Sequence, residues 1–122
     1  MLERPIHNPG YTTMIKTGCG KIYITDNTGS DYPEIFVQMG KSGGCAQSFC
    51  QALARVVSFA IRTGMKAGLP KEEMKERIIH ACKGIQCPSG IISGGRQVLS
   101  CADAIAQALE ENDVRPRVAD AC

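Results

Sequence analysis

Residues Glu34–Ile61 read EIFVQMGKSGGCAQSFCQALARVVSFAI, and within them the period of the apolar residues changes. Ile35, Val37 and Met39 recur at every second position, the spacing of one face of a strand. After Gly40-Lys41-Ser42-Gly43-Gly44 the apolar positions are Ala46, Phe49, Cys50, Leu53, Val56, Val57, Ala60 and Ile61, at intervals of threes and fours. That spacing predicts the main helix, with a wide stripe for burial and Gly64 to end it. A strand therefore feeds a long helix through a glycine-rich connection.

Upstream, Thr12–Lys16 and Lys21–Thr25 read as two more strands, with Ile22 and Ile24 on one face. Gly18-Cys19-Gly20 and Asp26–Asp31 supply the turns between the three, and turns this short favour an antiparallel meander. Residues 1–11 carry Pro5, Pro9 and Gly10 without periodicity and read as an extended arm. Downstream, Pro70 opens a second helix, with Glu72 and Glu73 complementing its dipole, Met74, Ile78 and Cys82 on its inner face, and Gly84 to stop it. A loop from Cys87 to Gly95 follows, with a short strand over Gln97–Leu99. Ser100 then caps a last helix, with Asp103 completing a capping box and Ala104, Ile105, Ala108 and Leu109 inward. Residues 113–122 read as a polar tail. Strands first and helices after predict an α+β domain: a three-stranded antiparallel meander followed by three helices packed on one face.

The 122 residues, 43% hydrophobic and 21% charged, suit one domain. Fourteen Lys and Arg against twelve Asp and Glu leave a net charge of +2 with the signs interspersed, which is no footprint for nucleic acid. The longest uncharged run, Ser42–Ala54, falls short of the ~20 apolar residues of a membrane span. Met1–Pro5 lacks the basic start and apolar run of a secretory signal, so the expected location is the cytoplasm. There, seven cysteines point to a metal or redox site before a disulfide framework.

Two phosphate-binding motifs fail on inspection. The P-loop pattern ending in Gly40-Lys41-Ser42 needs a glycine where Ile35 stands, and the dinucleotide pattern starting at Gly18 needs one at Tyr23. No acid–base pair stands out: His7 lies in the arm, His80 near a helix end, and Glu72, Glu73, Glu76, Glu110 and Glu111 lie among basic residues as a solvated face. The cysteines divide by placement. Cys50 and Cys82 fall on apolar helical stripes and read as core, whereas Cys19, Cys45, Cys87 and Cys101 sit in turns, in a loop and at helix starts. Backbone N–H groups and the positive end of a helix dipole ease thiolate formation there. Four such thiolates would bind Zn²⁺ tetrahedrally, although no C-x-x-C supports them.

Four blocks of the chain are similar to the TSCPD domain: Thr17–Thr25, Gly40–Ala46, Lys83–Cys87 and Ser100–Ala106. That domain occurs as a small free-standing protein and at the C-terminal end of adenosylcobalamin-dependent ribonucleotide reductases. The resemblance implies a metal site on Cys19, Cys45, Cys87 and Cys101, within a domain over 12–112, with zinc as the expected ion. It departs from the eponymous motif at Ala102, where a proline is frequent. A more distant likeness, in the order of Cys19, Cys45 and Cys101, is to iron–sulfur scaffold proteins of the NifU type. It implies an Fe–S cluster as the alternative cofactor. The chain is too short for the reductase barrel, so the resemblance implies an accessory module of a ribonucleotide reductase with no activity of its own. Two further readings are thiol exchange through Cys87, Cys101 or Cys122, and nucleotide or nucleic-acid binding through a basic patch at Lys16, Lys21 and Lys41. The stripe on the main helix leaves room for a homodimer.

Overall fold

The computed structural model describes residues 3–39, 44–88 and 90–120. Three strands, β1 (Tyr11–Thr17), β2 (Gly20–Asp26) and β3 (Ile35–Met39), form an antiparallel sheet in the order β1-β2-β3. The register pairs Ile15 with Ile22 and Ile24 with Val37. Alternation sends Ile15, Ile22, Ile24, Ile35, Val37 and Met39 to one buried face. The helices α1 (Gly44–Lys66), α2 (Lys71–Cys82) and α3 (Cys101–Asp120) follow, with α1 and α3 on that face and α2 against both helices. The arm preceding β1 is tied down: the Asn8 amide donates to Tyr32 O at 2.9 Å, and Arg4 pairs with Glu34 at 3.0 Å.

The stripe expected to bury α1 is rotated. Cys50, Ala54, Val57, Ser58, Ile61 and Gly64 are buried, while Phe49 and Val56 face outward. Small residues let the helix approach β3 closely. Ser58 is tolerated there because its hydroxyl accepts the Ile35 N–H at 2.8 Å and donates to Ala54 O at 2.8 Å, so no polar atom is stranded. Pro70 is the residue before α2 rather than its first, and the buried side chains of that helix are Lys75, Ile79 and Cys82, with Met74 and Ile78 only partly covered. Lys75 reaches Asp26 at 3.0 Å in the interior.

The loop after Cys87 contains a second sheet, the hairpin β4 (Ile91–Ser93) and β5 (Arg96–Val98). Gly94 and Gly95 both have positive φ, 58° and 77°, which is the backbone a two-residue hairpin turn requires. Helix α3 continues to Asp120, into the segment that composition reads as a tail. Among the described residues, no helix is long and apolar enough to cross a membrane.

Candidate metal centre

Cys19 occupies the β1–β2 turn. The Thr17 hydroxyl shapes this turn by accepting the Cys19 N–H at 3.1 Å and donating to Gly20 O at 2.8 Å, while Gly20 takes φ +127°. That conformation suits glycine and few others. The Cys101 thiol reaches the same hydroxyl, Sγ to Oγ1 3.8 Å. The first residue of α3 thus lies over the turn that carries Cys19.

Cys87 is brought to the start of α3 by backbone bonding, its N–H donating to Leu99 O at 3.0 Å. Four further bonds close and cap the same seam. Ser100 donates its hydroxyl to Ile85 O at 2.6 Å and accepts the Asp103 N–H at 3.0 Å. The Asp103 carboxylate accepts the N–H groups of Gly84 at 2.9 Å and Leu99 at 3.0 Å. The Ser100–Asp103 pair is therefore a helix cap that also fastens the segment after α2 to α3.

The structure thus gathers Cys19, Cys87 and Cys101 at one end of the molecule. Cys45 is exposed on the first turn of α1 and is not among the thiols that act on Cys19 or Cys50. Cys50, read as core, is buried as expected, yet it also neighbours Cys101 and Cys19. Its helical position alone predicts burial; the missed signal is that it follows Cys45 by five residues, about one and a half turns, in the same helix. All six described cysteines are free thiols, and Cys122 lies outside the described residues.

Burial and neighbouring thiols oppose the ionisation of Cys19 and Cys50 in the metal-free protein. Burial pushes Cys50 up to about 12, helped by the charge and hydrogen bonding of Cys101 and by the charge of Cys19. Cys19 is raised by burial, then by Cys101 and Cys87, and Cys82 by burial alone. Because the folded state holds these protons more tightly than the unfolded chain, stability is full below pH 9.0 and falls as pH rises from there towards about 12. Alkylation of metal-free protein at pH 8 should leave Cys50 and Cys82 unmodified until denaturant is added; peptide mapping of labelled protein reads this directly.

The remaining candidate groups serve the surface. Glu110 pairs with Lys83 at 2.7 Å and Glu73 with Arg77 at 3.4 Å, all well exposed. Lys16 and Lys21 are direct cross-strand partners, and Lys41 lies outside the described residues.

An all-sulfur donor set suits a borderline-soft cation such as Zn²⁺ or an iron–sulfur unit. Among the described residues, however, no group of three or more His, Cys, Asp or Glu side chains is arranged so that it would hold a metal ion. The donors fit in chemistry and neighbourhood, without a formed ligand cage.

No curated protein and no solved structure matches the chain significantly. The family model of the TSCPD domain matches residues 3–112, nearly the whole chain. With four cysteines of separate elements drawn to one end of a three-stranded sheet, and that match running from the arm into α3, the chain belongs to the TSCPD domain family.

Proposed function

We propose that this TSCPD domain is a metal-binding module that holds one Zn²⁺ through Cys19, Cys87 and Cys101, with Cys45 or Cys50 of α1 as the fourth ligand. The observation that carries this reading is the convergence at Cys101, which lies 3.8 Å from the hydroxyl that shapes the Cys19 turn and two residues from the backbone partner of Cys87. Cys19 and Cys50, which neighbouring thiols hold protonated, are groups that a cation would stabilise as thiolates, releasing protons as it binds. Such an ion would tie the β1–β2 turn, the segment before β4 and the start of α3 to α1.

Elemental analysis of anaerobically purified protein tests it. About one equivalent of zinc is expected from a site of this ligand number. Cys101→Ser is expected to lose the metal and to remove any effect of chelator on the melting temperature. Whichever of Cys45→Ser and Cys50→Ser loses zinc identifies the fourth ligand. Iron with acid-labile sulfide would instead make the module an Fe–S carrier, and metal-free protein indifferent to chelator would refute both. The sequence likeness further supports a role beside an adenosylcobalamin-dependent ribonucleotide reductase. Co-elution of the two proteins in size-exclusion chromatography checks that part.

A further inference from the structure

The outer face of α1 carries an apolar seam that the described residues leave open. Cys45, Phe49, Ala52, Val56, Phe59 and Thr63 are all exposed. They follow one another at steps of four, three, four, three and four, the 3.5-residue spacing of a helix seam that packs on another helix. Phe49, Phe59 and Val56 are 75%, 66% and 62% exposed. Isolated apolar residues are ordinary on a surface, whereas a continuous row with two phenylalanines marks an interaction site.

The row reads alike in both directions from Ala54. Phe49 and Phe59 stand five residues to either side, Ala52 and Val56 two, and Cys45 and Thr63 nine. A two-fold axis at the level of Ala54, relating two antiparallel copies of α1, sets Phe49 of one copy against Phe59 of the other. The same operation puts small Ala52 against larger Val56, and Cys45 against Thr63. A patch complementary to itself is what a two-fold dimer requires.

We infer that α1 is the interface of a homodimer, two copies packing antiparallel along Cys45–Thr63. The three large side chains, counted over both copies, offer on the order of 800 Å² at ~200 Å² per phenylalanine and less for valine. The smaller seam residues bring the total to the ~1,000 Å² that a biological interface has to clear, the lower end of the range. The exposed seam residues nearest the two-fold are Ala52 and Val56, so the pairing is apolar at its centre. The two copies of Arg55 fall on the same side of the seam, exposed to solvent, where screening over ~8 Å keeps their repulsion small. The inference rests on Phe49, Val56 and Phe59, none of which is a proposed metal ligand.

Sedimentation equilibrium of the full chain tests both the dimer and its register. The unmodified protein is expected to dimerise at micromolar concentration. Phe49→Glu alone and Phe59→Lys alone are each expected to weaken association at least ~30-fold, the loss typical of an interface hot spot. Mixing the two variants in equal amounts should restore the dimer. The antiparallel register places the introduced carboxylate opposite the introduced ammonium and leaves the other phenylalanine pair intact; a parallel register does neither. Both positions are exposed, and far-ultraviolet circular dichroism checks that each variant is folded. A monomeric unmodified chain overturns the inference, and so does a mixture that stays monomeric.

Discussion

Lys75→Met is expected to destabilise the domain by about 3–5 kcal/mol, the cost of leaving one buried charge without its partner. Lys75 and Asp26 meet at 3.0 Å, with their side chains only 9% and 2% exposed. The carboxylate is otherwise satisfied by neutral donors: the Thr28 N–H at 2.9 Å, the Thr28 hydroxyl, and the Asn112 amide at 3.1 Å. These donors cannot balance a full negative charge. The urea midpoint measures the loss. Adding Asp26→Asn to Lys75→Met should recover more than half of it, because the charge is removed while an oxygen remains for Thr28. The new amide needs an acceptor, and Asn112 has one in reserve: among the described residues its buried Oδ1 has no hydrogen-bond partner, so turning that amide over supplies it. If the double variant is no more stable than Lys75→Met, the stabilisation lies in the packing of the lysine stem and not in the charge pair.

Asp103→Ala is the second large effect, expected at about 3 kcal/mol, since two backbone N–H groups lose a charged acceptor at ~1–3 kcal/mol each. Those groups belong to Gly84 and Leu99, on opposite sides of the segment that contains Cys87, and the Gln107 amide at 2.8 Å loses the same acceptor. Their loss should also loosen Cys87 from Cys101. The expected signature is a lower urea midpoint together with faster alkylation of Cys101 in metal-free protein. A stability loss with unchanged alkylation would confine Asp103 to helix capping.

Most of the sheet and helices was legible because burial on one face imposes a period on the residues. Ile22 and Ile24, and Ile35, Val37 and Met39, alternate in the sequence and line the buried face in the structure. The Ser100–Asp103 cap was legible for a local reason, being a bond between residues three apart. Only the second strand of the later hairpin was legible, as Gln97–Leu99; its partner β4 was read as loop although Gly94-Gly95 is the turn, because three-residue strands are too short to establish a period. The inner face of α1 was misjudged for a related reason. Periodicity weighs large apolar residues and overlooks Ala54, Ser58 and Gly64, which are inside because they are small.

The amino-acid sequence by itself determined the order of the three sheet strands and three helices, the buried faces of β2 and β3, the family, and a division of the cysteines into loop and stripe. Each depends on residues close together in the chain. Only the tertiary structure decided that Lys75 enters the interior to meet Asp26, that Cys50 stands beside Cys101 and Cys19, and that Phe49, Val56 and Phe59 remain outside. These depend on how α1, α2 and α3 rotate about their axes as they settle on the sheet. That rotation is set by the sum of contacts among distant segments, and no stretch of sequence carries it alone.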